Sequence, residues 1–287
     1  PTQGNWDWNV DAGQIWEMQQ AQQRGVSTFI SSAWSEPAWM KTNNSVINGG
    51  HLRRDQYQAY ADYLARYVIG YKNHFGLKIS AISPSNEPNL VSTYQTNEWT
   101  AAEFDTFMKS YLNPTLKKLH VAAQVYLPEE VTWADDLASA TLSDPAASVG
   151  VSAVAAHDYA FGSPTPFADA QAQGKHQWMS EVSGGSTDPG DISDALKWAY
   201  EIQSHLSTAN TNSWDWWIGV EPHAPTSGDG QALIYLDTAN NVYTPAKRLF
   251  SIGNFSRFIR PGYVRIGATD NPATGIYTSA YKNPQNN

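Results

Sequence analysis

Two rhythms of apolar and polar positions alternate along the chain. Short apolar runs at 26–33, 78–84, 121–127, 151–159, 176–182 and 214–220 read as buried strands. Most of the segments between them, at 11–24, 54–75, 101–119, 193–209 and 244–259, carry apolar residues at helical spacing. Asp11 is placed to cap the first of these helices and Gly25 to stop it. Near-continuous apolar strands alternating with helices predict an α/β fold, a parallel sheet covered by helices.

Each strand runs out into a polar, aromatic or Gly/Pro-rich segment: SSAWSEPAW, SPSNEPN, LPEEVTW, AHDYAFG, SEVSGG and WWIGVEPH. Residue types that do chemistry therefore collect at one end of every strand. A (β/α) barrel carries its active site there, in the loops after the strands, whereas an open doubly wound sheet concentrates it at one switch point. The barrel is the expected architecture. Neither G-x-G-x-x-G nor a P-loop occurs, so nucleotide binding has no support.

Composition narrows the partners. The 287 residues are 41% hydrophobic and 16% charged, which excludes disorder, and the net charge of −9 repels phosphate backbones and anionic lipid. Neither nucleic acid nor a membrane is an expected partner, and no run approaches the roughly 20 apolar residues that span a bilayer. Cysteine is absent, which removes disulfides, thiolate metal sites and cysteine nucleophiles together. The seven His lack the ligand spacing of a metal-dependent hydrolase, so neither metal nor cofactor is expected. Twelve Trp and fifteen Tyr lift the aromatics to 13%, more than core filling requires. Part of them fill a core, and the rest suit a groove on which sugar rings stack.

Two strand ends carry a glutamate in a telling context, Ser85-Asn86-Glu87-Pro88 and Ser180-Glu181-Val182-Ser183-Gly184. They lie 94 residues apart, close to three βαβ steps at roughly 30 residues each. Strands three steps apart in an eight-stranded barrel face each other across a narrow mouth. Two inward glutamates there suit a retaining glycosidase, whose carboxyls stand about 5–5.5 Å apart, one as nucleophile and the other as acid, then base. An Asn-Glu-Pro tripeptide alone arises by chance. Its place at a strand end, with a second glutamate at barrel spacing and many aromatics, favours catalysis over a structural ion pair.

The set Asn86-Glu87-Pro88, Glu181 and Trp34-Ser35-Glu36-Pro37-Ala38-Trp39-Met40-Lys41 resembles glycoside hydrolase family 30, among the clan-A barrels, from about residue 10 to 265. The resemblance implies a (β/α)8 TIM barrel with Glu87 as acid/base and Glu181 as nucleophile. It also implies that Asn86 hydrogen-bonds the sugar 2-hydroxyl. The family carries these glutamates on its fourth and seventh strands, so the six strands here correspond to strands three to eight. By the same resemblance Trp34 borders the −1 subsite, and His157 and Tyr159 approach the nucleophile, with Tyr159 orienting it. Trp216 would be the platform under the −1 sugar, with Trp217 as the competing register. His157 equally reads as a satisfied core residue. Glu129 and Glu130 are expected to meet solvent, with contact to a distal sugar as the other reading.

The family's first two βα units have no counterpart, so further N-terminal sequence is expected in the native protein, and the Arg and Asp of that region cannot be assigned. Residues 1–259 are expected to form the barrel, and 260–287 the start of a β-sandwich side domain with a loose tail from Pro272. No Lys or Arg lies in 220–234, near where bacterial members hold a glucuronate branch with an arginine. The resemblance thus implies a secreted, monomeric retaining hydrolase of a β-linked plant or microbial polysaccharide. β-1,4-Xylan is the first choice, and β-1,6-galactan or β-1,6-glucan the alternative. A carbohydrate-binding protein without turnover is the reading from another class. The Asn-x-Ser sequons at Asn43 and Asn254 suit eukaryotic secretion.

Overall fold

The computed structural model describes residues 4–184, 190–222 and 230–285. They fall into two compact units, Pro1–His157 with Phe167–His176, and Asp158–Pro166 with Gln177–Asn287. In the first unit β1 (Phe29–Ser32), β2 (Ile79–Ser83), β3 (Gln124–Glu130) and β4 (Val151–His157) pair in that order, all parallel. Most positions of β2, β3 and β4 are buried on both faces, as parallel strands under helices must be.

Helix Tyr57–Phe75 turns Tyr57, Tyr60, Ala61, Leu64, Ala65 and Val68 inward at helical spacing and ends at Gly76, whose φ of 69° suits glycine. That face joins Ile79, Ile82, Val125, Leu127, Val151 and Val154 in one core. Each large apolar side chain buried there contributes about 1.5–3 kcal/mol. The run expected at 101–119 is helical but changes pitch: Ala101–Phe107, a π turn at Met108–Leu112, then Asn113–Lys118. Pro114 has no N–H for the turn behind it, and the wider turn absorbs the missing bond.

An aromatic ladder clamps residues 6–8 onto helix Tyr57–Phe75. Trp6 stacks on Tyr63 at 4.9 Å and on Trp8 at 5.1 Å, and Trp8 stacks on His74 at 4.7 Å. Trp8 lies over Gly70, where a Cβ would collide with its ring. Asp11 makes no side-chain cap, contrary to expectation; its carbonyl accepts from the Ile15 N–H instead.

In the second unit β5 (His176–Glu181) pairs in parallel with β6 (Ser213–Trp214). Helix Ile192–Ser207 begins at Asp191, whose carboxylate accepts from the Ser193 N–H at 2.9 Å, and it buries Trp198 and Ile202. Arg248, fully buried on helix Lys247–Phe258, donates from Nε to Asp194 Oδ2 at 2.9 Å and so ties the two helices together.

Three expectations for this unit change. The run 214–220 is not one strand: β6 ends at Trp214, and β7 (Val220–Glu221) joins β8 (Ile234–Asp237) and β9 (Val242–Pro245) in a separate sheet. The helix expected from 244 starts at Lys247, because Thr244 is β-branched and precedes a proline, which favours extended backbone. The tail is not loose throughout, since β11 (Ala280–Lys282) pairs antiparallel with β10 (Val264–Ile266). No helix among the described residues is long and apolar enough to cross a membrane.

Candidate active site

β2 hands the chain to the turn that carries Asn86 and Glu87, and three bonds fix that turn. Tyr60 Oη donates to the Pro84 carbonyl at 2.7 Å, Ser83 Oγ to the Ser85 carbonyl at 2.7 Å, and the Glu87 N–H to the Glu129 carbonyl at 2.9 Å. Glu87 itself has φ 46°, a left-handed conformation that costs a non-glycine residue about 1–3 kcal/mol. Held this way, Glu87 is only 4% exposed. Tyr94 Oη donates to its Oε2 at 2.7 Å, and His157 Nδ1 faces its Oε1 at 3.2 Å. Burial pushes the carboxyl up, but the contacts with His157 and Tyr94 outweigh it and hold Glu87 below its ordinary range.

The surroundings of Glu87 extend into the first unit. The His157 ring is fully buried, with Nε2 3.9 Å from Glu129 Oε1, and Glu129 Oε2 accepts from Ser32 Oγ. Half-buried Trp34 tilts against the Tyr94 ring at 5.5 Å between centroids. Asn86 is 2% exposed, and its neighbour Ser85 donates to Asn97 Oδ1 at 2.8 Å. Glu129 and Glu130 do not meet solvent. They are 2% and 4% exposed, because β3 continues through both and Glu130 pairs with Ala156 of β4. Glu130 accepts from Asn89 Nδ2 at 3.2 Å and from the Leu137 N–H at 2.9 Å.

In the second unit Glu181 closes β5 and is half-buried. Tyr159 Oη donates to its Oε1 at 2.9 Å, and the Asp158 N–H reaches its carbonyl at 3.4 Å. Asp158, Glu201 and His205 are of metal-ligating type and lie within reach of one another. They form a hydrogen-bonded interior, with His205 Nε2 3.0 Å from Asp158 Oδ2. Burial and the Asp158 charge push the Glu201 carboxyl up.

Trp216 packs toward the helices. Trp198 meets its ring edge-on at 4.5 Å, the Arg248 guanidinium lies 5.4 Å from its centroid, and its Nε1 donates to the Gln231 carbonyl at 2.6 Å. The ring is half-buried among these groups. Trp217 follows the other parity. Its N–H donates to the Val182 carbonyl at 2.9 Å, one residue past Glu181, and its Nε1 donates to Gln231 Oε1 at 3.2 Å.

A family model described as O-Glycosyl hydrolase family 30 matches residues 1–158. The chain belongs to glycoside hydrolase family 30. Among family 30 structures, the subfamily 8 xylanase Xyn30A from Clostridium acetobutylicum superposes with a TM-score of 0.82 and 32% identity, over 97% of this chain and 67% of that one. Glucuronoxylanase XynC of Bacillus subtilis (strain 168) is 30% identical over 274 residues, 91% of this chain and 59% of the relative. Endo-1,6-beta-D-glucanase BGN16.3 of Trichoderma harzianum is 27% identical over 302 residues, 93% of this chain and 56% of the relative. The chain thus spans less than three-fifths of the length of these curated relatives. The likeness to family 30 structures makes the fold one of the (β/α)8-barrel type, to which the parallel strands β1–β4 and β5–β6 belong.

Proposed function

We propose that this family 30 chain carries the catalytic residues of a retaining glycoside hydrolase, with Glu87 as acid/base and Glu181 as nucleophile. The observation that supports it is the equipment of each glutamate at a strand end. Glu181 has one oxygen held by the Tyr159 hydroxyl, which favours the ionised carboxylate and steadies it for attack. Glu87 has one oxygen accepting from the Tyr94 hydroxyl and the other 3.2 Å from His157 Nδ1, a ring nitrogen able to carry a proton. In the first step Glu181 bonds to the anomeric carbon while Glu87 gives its proton to the departing oxygen. In the second, Glu87 takes a proton from water, the water oxygen bonds to the same carbon, and the ester to Glu181 breaks.

Asn86 would hydrogen-bond the sugar 2-hydroxyl and Trp34 would border the ring whose bond is cut. Trp216 would be the platform under that sugar, with Trp217 as the competing register. β-1,4-Xylan is the favoured substrate, in line with the xylanases among the relatives, and a β-1,6-linked glucan or galactan comes second. Incubation with xylan, β-1,6-glucan and β-1,6-galactan, with proton NMR of the first-formed product, tests the reading. A β-anomer from a β-glycan is expected. An α-anomer means inversion and ends the retaining assignment of both glutamates.

A further inference from the structure

Glu129 has no step in the reaction above, yet it is tied to Glu87 at two levels. Its carbonyl accepts the Glu87 N–H at 2.9 Å, within the turn that holds Glu87 at φ 46°. Its carboxylate lies 3.9 Å from His157 Nε2, while Nδ1 of the same ring faces Glu87 at 3.2 Å. A carboxylate that is 2% exposed is costly to bury unless a partner uses its charge. Here the partners are Ser32, donating from β1, and the buried imidazole. His157 thus stands between Glu87, proposed to exchange a proton with substrate, and Glu129, held in place.

We propose that Glu129 is a positioning residue whose carboxylate, anchored by Ser32, holds the His157 ring against Glu87 and keeps a proton on the Glu87–His157 pair. The pair shares that proton between carboxylate and imidazole. It leaves for the departing sugar oxygen in the first step and returns from water in the second, so no further reactant is needed. The negative charge of Glu129 favours the protonated pair by direct attraction. Among the described residues of the first unit, Glu87, from the turn after β2, and Glu129, from β3, are titratable groups that face His157. Tyr94 faces Glu87 from the loop beyond it. The proposal rests on the reading of Glu87 as the acid/base.

The test is a histidine side-chain NMR titration of the whole chain, with the His157 signal assigned by its loss in His157→Asn. In Glu129→Gln, which keeps the shape and removes the charge, the apparent pKa of the pair should fall by about one unit. Ser32→Ala should shift it the same way by less, and serves if Glu129→Gln does not fold. On an oligosaccharide substrate the alkaline limb of kcat/KM should move to lower pH with it. The loss should shrink on an aryl glycoside, whose leaving group needs no proton. A merely structural role would lower kcat at every pH alike and leave the titration in place, which overturns the proposal. Azide rescue of Glu87→Ala on the aryl glycoside checks the underlying reading separately. Without rescue, the acid/base assignment falls and takes this proposal with it. Rescue together with an unmoved His157 titration removes only the role of Glu129.

Discussion

The unit that holds Glu87 and the unit that holds Glu181 are stabilised in different ways. In the first, helix Tyr57–Phe75 feeds a continuous apolar core shared with β2, β3 and β4. In the second, Ile192, Leu196, Phe250 and Phe258 are 65%, 62%, 56% and 66% exposed on their two helices. The interior of that unit relies instead on the charge pair of Arg248 with Asp194, the hydrogen bond between His205 and Asp158, and the indole of Trp198. Apolar burial is spread over many side chains, each replaceable in part by its neighbours. A buried charge pair is directional, and removing one partner leaves the other without compensation. The second unit should therefore be the more fragile to single substitutions, although it carries the proposed nucleophile.

The largest effect separates the two glutamates. Glu181→Ala should lower kcat on every substrate by on the order of 10⁴-fold or more, because no glycosyl-enzyme can form. Glu87→Ala should be comparably damaged on a natural glycan but spared on an aryl glycoside, as steady-state kinetics on both substrates will show.

Arg248→Met should cost the second unit about 3–5 kcal/mol by stranding Asp194. Native-state hydrogen exchange should show faster opening of helix Ile192–Ser207 while helix Tyr57–Phe75 stays protected. Equal acceleration in both helices would mean that the units unfold together, and the contrast between them would go.

A subtler difference follows from Glu36, fully buried in the first unit, where it accepts from Trp99 Nε1 at 2.9 Å. Burial, opposed by its own backbone amide, Lys41 and Trp99, pushes its carboxyl up to about 7 from 4.5. The folded chain therefore keeps a proton that the unfolded chain releases, and stability declines as pH rises through that window, then levels off. The decline amounts to about 3 kcal/mol, and Glu36→Gln should flatten it in urea titrations across the same range. The smallest effects come from two helix caps. Thr100→Ala in the first unit and Asp191→Ala in the second should each cost about 1 kcal/mol. Each should lower protection in its own unit, measured by the same exchange experiment.

Much of this arrangement was legible along the chain because its signals are local. Apolar runs ending in acidic or aromatic segments placed β1 to β5 within a few residues, and placed Glu87 and Glu181 at strand ends. The rest depends on pairing between segments. Tyr94 lies in a loop without periodicity, and only the folded turn brings its hydroxyl to Glu87. Glu129 and Glu130 read as loop because they are charged and follow a proline, but register with β4 carries the strand through them. The choice between Trp216 and Trp217 is one of parity, and β6 is two residues long, too short for alternation to decide it. In the same way Thr244 and Pro245 look like a helix start until pairing with β8 makes them the end of a strand.

The ladder on helix Tyr57–Phe75 has an optical consequence. The indoles of Trp6 and Trp8 lie 10° from parallel at 5.1 Å, close enough for their electronic transitions to mix. Coupled transitions of this kind split into a pair of circular dichroism bands of opposite sign, which separated indoles do not give. Trp198 and Trp216, 4.5 Å apart with their rings at 90°, and Trp214 and Trp216, at 6.1 Å, couple as well, so the spectrum carries a Trp6–Trp8 component beside theirs. The amplitude of that component on warming follows the undocking of residues 6–8 from the helix. Gly70→Ala, whose methyl group would occupy the space of the Trp8 ring, should remove that component and leave the bands of the other tryptophan pairs in place.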